Sequence, residues 1–150
     1  MVLLKGYSKE GFLVFTNYQS RKGRDIEENP KVSLLFYWDA LHRQIRIEGT
    51  ATRVSPQESK DYFYSRPRPS QISALVSQQS RPIADREILS KLHEEEDKKY
   101  PDNIPMPETW GGFRIVPQRF EFWQGQSDRL HDRFQFDRTE DSWNIVRLQP

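Results

Sequence analysis

The 150-residue sequence contains no cysteine. Disulfides and thiolate metal sites are thereby excluded, and a reducing compartment, the cytoplasm, is the expected setting. Net charge is nearly absent as well: 23 Lys and Arg against 22 Asp and Glu leave +1. That balance offers no bulk basic field of the kind that marks non-specific nucleic-acid binders, so no nucleic-acid partner is expected. No apolar run approaches the ~20 residues of a membrane span, and no signal-peptide pattern opens the chain. Familiar fingerprints are missing too. There is no His-Glu-x-x-His or Asp-x-Asp cluster for a metal, no Gly-x-Gly-x-x-Gly for a dinucleotide turn and no Gly-x-Ser-x-Gly elbow. Hydrophobic residues make up only 35% of the chain and lean on aromatics. One domain's worth of such a sequence builds a limited core alone, which makes a partner subunit an expectation.

What is present is concentrated near the C-terminus, in Glu121-Phe122-Trp123-Gln124-Gly125-Gln126-Ser127-Asp128-Arg129-Leu130-His131-Asp132-Arg133. Phe120 and Phe122 alternate with Glu121 and Trp123, and Phe134 and Phe136 with Arg133 and Gln135, which predicts two half-buried strands around a Gly125 to Asp128 turn. On that reading Arg129, His131 and Arg133 have period-two spacing and share one strand face, with Trp123 beside them. Such a face suits a planar, anionic ligand. Taken alone, the residues equally describe a solvated strand edge.

Further upstream, Met1 to Tyr7 and Phe12 to Thr16 read as a hairpin around Ser8-Lys9-Glu10-Gly11. A short helix is predicted from about Arg24 to Asn29, stopping before Pro30, with Arg21 and Lys22 at its N-terminus. Cations are unfavourable there unless an anion joins them; an exposed basic loop is the alternative. Val32 to Trp38, nearly all apolar, is expected as a central strand, and Gln44 to Val54 as an alternating strand with Ile45, Ile47 and Ala51 inward. Ser55-Pro56-Gln57-Glu58 is a capping box that starts a helix ending by Arg66, before Pro67 and Pro69. Tyr62 and Arg66 share a face of it, with Ser70 just past the break, and the three could hold a phosphate or simply pack, stay solvated and cap. Helices follow over Ser70 to Gln78 and Ile83 to Tyr100, the latter with Glu94–Lys98 and Glu95–Lys99 pairs and a solvent-exposed His93. A stiff Pro101 to Pro107 connector leads to strands at Trp110 to Pro117 and Trp143 to Leu148. Strands, then helices, then strands again fit an antiparallel barrel with peripheral helices, a mainly β architecture.

The run Phe-Trp-Gln-Gly-Gln-Ser-Asp-Arg-Leu-His-Asp-Arg resembles the C-terminal signature of the pyridoxamine 5′-phosphate oxidase family, and the likeness extends over essentially all 150 residues. The resemblance implies an FMN-binding split barrel, with residues 1–150 as a single domain whose C-terminal segment, about 107–150, serves oxidation and dimerisation. It implies a homodimer with FMN at the subunit interface. It also implies oxidation of pyridoxamine or pyridoxine 5′-phosphate to pyridoxal 5′-phosphate, by hydride transfer from C4′ to flavin N5, with dioxygen reduced to hydrogen peroxide. Residues matching the family's FMN contacts are Val2, Leu3, Leu4, Lys5, Phe15, Thr16, Arg21, Lys22, Gln44, Gln79, Ser80, Trp123 and Arg133. Those matching its substrate contacts are Lys5, Tyr62, Arg66 and Ser70 at the 5′-phosphate, with Arg129, Leu130 and His131 at the ring. Arg129 and His131 are the expected catalytic pair. Family members carry several dozen residues ahead of Val2, including a phosphate-binding Arg, so the chain is expected to be shortened relative to them. A non-catalytic flavin- or pyridoxal-phosphate-binding module is the alternative such shortening suggests, and a purely structural dimer domain is a third reading.

Overall fold

A computed structural model describes residues 1–150. Seven antiparallel strands form one sheet, in the order β1 (Leu4–Ser8), β2 (Gly11–Asn17), β5 (Trp110–Gln124), β4 (Arg43–Arg53), β3 (Lys31–Trp38), with β6 (Asp132–Arg138) also on β5 and β7 (Trp143–Leu148) on β6. Four helices lie outside it: α1 (Arg21–Glu28), α2 (Pro56–Ser65), α3 (Arg68–Val76) and α4 (Arg86–Lys99). The expected antiparallel barrel with peripheral helices is what the chain forms.

The organising strand is β5, which runs for 15 residues where the sequence suggested two shorter segments. Its first half pairs with β2 and its second half with β6, while β4 follows the whole of its other edge. The register on β4 slips between Glu48 and Gly49, so that Pro117 faces Gly49, Arg119 faces Glu48, and Gln118 is an extra residue. This bulge accommodates Pro117, which has no N–H to give to a ladder. It also changes which side chains face inward. Phe113 and Ile115 point to the core before it, and Phe120 takes up that face after it, against Phe12. Glu121 and Trp123 are thereby turned to the opposite face. The backbone approaches closely here: a Cβ on Gly49 would lie 2.3 Å from the Val116 carbonyl oxygen. Gly49→Ala is therefore expected to cost about 1–3 kcal/mol, seen as a lowered midpoint in thermal or urea unfolding.

Val14, Ala51, Phe113 and Ile115 form the barrel core, and Phe63, Ile72, Ile104 and Trp110 seal the helices against the sheet. Ile104 explains the proline-rich connector, which is an anchored plug rather than only a spacer. With 21 of 150 residues buried, many apolar side chains remain in solvent. The Val32 to Trp38 segment shows why: it forms an edge strand, not a central one. Val32, Leu34 and Phe36 face inward, while Leu35 and Tyr37 stand on a bare outer face at 61% and 57% exposure. A run apolar on both faces signals two covered faces, and a single chain covers one.

Three helix starts differ from expectation, each for a local reason. Helix α1 begins at Arg21 because buried Ser20 caps it, its Oγ accepting from the Gly23 amide at 3.1 Å. Gly23 is no helix breaker here; its missing side chain lets the helix sit where a Cβ would meet the Tyr18 carbonyl oxygen at 2.2 Å. Helix α3 starts at Arg68 with Pro69 inside its first turn, a place that needs no amide hydrogen. Asp85 caps α4, which begins at Arg86. On α4, Lys99 pairs with Glu96 at 3.2 Å rather than with Glu95, and His93 is half-buried with Nε2 3.1 Å from the Pro69 carbonyl.

A candidate active site in two halves

The first half is a cleft of about 720 Å³ between the β1–β2 hairpin, α1 and the α2–α3 corner. Its floor is aromatic. Phe15 on β2 stacks on Tyr62 of α2 with ring centroids 3.9 Å apart, and on Trp110 at the start of β5 at 5.4 Å. Alternation along β2 puts Phe15 on the cleft side. Tyr62 in the last turns of α2 and Arg66, the extended residue that ends it, line the same cleft, with Ser70 of α3 just past the Pro67 corner. Lys5 completes the group, its Nζ 6.0 Å from the Tyr62 ring centroid. These are the four side chains expected at a substrate phosphate, and they line one cavity.

Arg66 sits in it without an anionic partner. Its guanidinium lies 4.8 Å over the Trp110 ring, and Nη1 is buried with no hydrogen-bond acceptor. Burial lowers its pKa, the direction in which the charged form is penalised. A buried guanidinium nitrogen without an acceptor is costly and marks where an anion fits.

Lys22, from the first turn of α1, lines the same cleft. Its Nζ donates to Gln79 Oε1 at 2.6 Å and Thr16 Oγ1 at 2.7 Å, with Ser20 Oγ at 3.4 Å. All three acceptors are neutral, so no carboxylate balances the ammonium, and burial pushes its pKa down. Three cations without a carboxylate partner, Lys5, Lys22 and Arg66, share one cleft, and with Lys22 in the first turn of a helix they favour an anionic ligand. Val2, Leu3 and Phe15 supply apolar contact area alongside them. Arg21, by contrast, points to solvent with its side chain 84% exposed and Nε 4.0 Å from Asp25. Leu4 at the head of β1 and exposed Ser80, with φ of 71°, neighbour the cleft without lining it.

The second half lies on the outer face of β4, β5 and β6. Register places Gln44, Trp123 and Arg133 directly opposite one another in a row across the three strands. Gln44 and Trp123 line a separate cleft of about 460 Å³ at the strand ends. Within one chain Arg133 does not line the cleft that holds Lys22.

The expected single strand face bearing Arg129, His131 and Arg133 is not formed. Ser127–Arg129 is a short 3-10 turn, Asp128 and Arg129 have φ of 56° and 62°, and β6 starts only at Asp132. Gly125 and four polar residues do not make a two-residue hairpin, and the longer loop takes up Arg129 and His131. Nor do three cations repel on one face, because Arg133 is met by Glu121 at 2.9 Å. His131 packs its ring 4.8 Å from Trp123, and its Nδ1 accepts from the Gln126 amide at 3.1 Å, which leaves the proton on Nε2. Arg129 and Leu130 stand exposed at the tip, and Arg129 has no ion pair within the chain.

Sequence reasoning did not single out Trp110, Asn17 or Ser77 in the first cleft, or Glu121 behind the second. For Trp110 the Trp-Gly-Gly run was a usable signal: each glycine fits a place where a Cβ would collide with Tyr18 or Phe15. Glu121 was hidden by the alternation that made it read as a solvated position.

Known proteins resemble the chain over nearly its whole length. Residues 1–97 match the family model described as pyridoxamine 5′-phosphate oxidase, and residues 110–150 match that of the pyridoxine 5′-phosphate oxidase C-terminal dimerisation region. A pyridoxine/pyridoxamine 5′-phosphate oxidase of Rubrobacter xylanophilus is 51% identical over 99% of this chain and 69% of its own length. The chloroplastic pyridoxine/pyridoxamine 5′-phosphate oxidase 1 of Arabidopsis thaliana is 53% identical over the full chain, which spans 29% of that protein. Among solved structures, PhzG from Burkholderia lata, in complex with tetrahydrophenazine-1-carboxylic acid, superimposes with a TM-score of 0.91 at 32% identity, over 99% of this chain and 73% of its own.

Proposed function

The chain belongs to the pyridoxamine 5′-phosphate oxidase family, and from that premise we propose that it converts pyridoxamine or pyridoxine 5′-phosphate to pyridoxal 5′-phosphate with FMN as cofactor and dioxygen as acceptor. The observation that carries the reading is the first cleft, where Lys5, Tyr62, Arg66 and Ser70 converge on the same space as Lys22, Thr16 and Gln79. A phosphorylated pyridine and the phosphate of a flavin are both anions with flat rings. The cleft offers three unbalanced cations, one with an orphaned buried nitrogen, and an aromatic floor. The residues present fit both groups.

A homodimer completes the site in this proposal. The second copy brings its outer-face row, Gln44, Trp123 and Arg133, and its exposed turn, Arg129 to His131, against the cleft of the first. The match of residues 110–150 to a dimerisation region supports this, as do the bare apolar side chains Leu35, Tyr37, Leu130 and Ile145. One chain presents Arg129 and Leu130 with nothing to contact.

When bound, FMN supplies the redox step, taking hydride from substrate C4′ and passing electrons to dioxygen. The protein's part is placement. Lys5, Arg66, Tyr62 and Ser70 hold the substrate's phosphate through charge-assisted and neutral hydrogen bonds. Lys22, with Thr16 and Gln79, holds the flavin phosphate; Arg21 and Ser80 lie at the rim and reach it by side-chain rotation. Val2 and Leu3, just ahead of β1, would lie against the ring system with Leu4 beside them, and Gln44, Trp123 and Arg133 would hold it from the second copy. Arg129 and Leu130 close over the substrate ring, and His131 donates from Nε2 to a ring substituent, fixing C4′ at hydride-transfer distance. None of these groups is required to act as a strong base.

One experiment separates the readings. The purified protein is expected to be yellow, to bleach on anaerobic addition of pyridoxamine 5′-phosphate and to recover colour with peroxide on admitting air. Yellow protein that does not bleach would mean a binding module, and protein that stays colourless after FMN addition a structural domain.

A further inference from the structure

Glu121 is the one acidic side chain buried in this chain, at 5% exposure, and the reading above gives it no role. It projects from β5 between two guanidiniums. Its Oε1 accepts from Arg133 Nε at 2.9 Å and lies at the same distance from Nη2 in an ion pair, and its Oε2 accepts from Arg46 Nη2 at 2.8 Å. The third nitrogen of Arg133, Nη1, donates to the Gln149 carbonyl at 3.0 Å. Two hydrogen bonds and the ion pair hold the Arg133 fork from both sides. Arg46 is less constrained, with a side chain 45% exposed and a weaker second contact to Glu48 at 3.6 Å.

Burying a carboxylate is a poor way to stabilise a sheet. Desolvation offsets much of the attraction, and an apolar residue of similar size commonly does as well. The position has another use. Glu121 lies one row below Trp123, opposite Arg46 and Gln135, and reaches diagonally to Arg133 in the row of Gln44 and Trp123. The Gln118 bulge is what turns it to this face.

We propose that Glu121 is a positioning residue for the cofactor: its buried carboxylate holds the Arg133 guanidinium in the orientation in which it meets the flavin. This rests on the placement of Arg133 at the flavin under the proposed function.

The test is a double-mutant cycle read as FMN dissociation constants, from quenching of flavin fluorescence on titrating apoprotein into FMN. Glu121→Gln is expected to weaken FMN binding roughly tenfold or more in the native background, and less than about twofold when Arg133 is already Gln. Arg46→Met, which leaves the Glu121–Arg133 pair intact, is expected to stay within about twofold of the native value. Should the Glu121→Gln protein not fold, Glu121→Asp carries the same comparison, since it keeps the charge but withdraws the carboxylate by one methylene. Equal losses in both backgrounds would make Glu121 merely structural and overturn the proposal. If Arg133→Gln weakens FMN binding and neither Glu121 variant does, the role of Glu121 falls alone. If Arg133→Gln leaves FMN binding unchanged, the placement of Arg133 at the flavin falls first.

Discussion

Replacing Arg129 by Leu is expected to slow anaerobic flavin reduction by pyridoxamine 5′-phosphate about 100-fold while changing FMN affinity less than about threefold. The size follows from its assigned work, since misplacing a reacting carbon by an ångström can cost that much. The selectivity follows from where Arg129 sits. It occupies an exposed turn at φ of 62°, with no ion pair to lose. Leu keeps an unbranched Cβ, so the backbone strain, on the order of 1–3 kcal/mol for a left-handed non-glycine residue, is the same in both proteins. Folding and the flavin-side row of Gln44, Trp123 and Arg133 are left alone. Stopped-flow reduction and an FMN titration on the same preparations separate the two effects. Equal loss of rate and affinity would mean that Arg129 holds flavin, and the division of roles between the turn and the row behind it would be wrong.

Most of the strand content was legible because β-sheet alternation is a local signal. Ile45, Ile47 and Ala51 in β4 point inward as their spacing predicts, and the capping box at Ser55 starts α2 with its Oγ 3.0 Å from the Glu58 amide. What escaped depends on partners distant in sequence. Pro117 looked like the end of a strand, yet pairing with Gly49 absorbs it in a bulge and lets β5 continue. Val32 to Trp38 looked central because its composition reflects two covered faces, one of them bare in a single chain. The first helix was expected only from about Arg24, and the Ser20 cap with the close approach to the Tyr18 carbonyl brings Gly23 inside it.

The candidate site divides along the same line. Side chains on or beside helices and strands reached one cleft: Tyr62 on α2 and Arg66 at its C-cap, Phe15 and Lys22 on either side of the Ser20 cap. Those on the turn after Gly125 did not, because period-two spacing has no meaning once the backbone turns left-handed at Asp128 and Arg129. The resemblance named residues of both halves without showing that one chain keeps them apart. Separation is a property of the sheet: Gln44, Trp123 and Arg133 project from its outer face, and the first cleft opens elsewhere between hairpin and helices.

Arg66→Met is expected to separate stability from function in opposite directions. In the chain by itself Arg66 is a liability, with Nη1 buried and no acceptor, and such a group costs about 1–3 kcal/mol. Against this stands its contact with Trp110 at 4.8 Å, worth about 0.5–2 kcal/mol. A methionine of similar length retains packing on the indole without the charge. Apoprotein melting temperature should therefore stay level or rise. Turnover should suffer. Removing a charge-assisted contact to a phosphate dianion predicts a fall of about 10–100-fold in kcat/KM for pyridoxine 5′-phosphate, carried mainly by KM. Unphosphorylated pyridoxine, which offers Arg66 nothing to hold, should be handled equally by both proteins. Steady-state peroxide assays with the two substrates, together with a melting curve of each apoprotein, complete the comparison. A lower melting temperature with unchanged KM would mean that Arg66 only packs against Trp110, and the cleft would lose its claim to be a phosphate site.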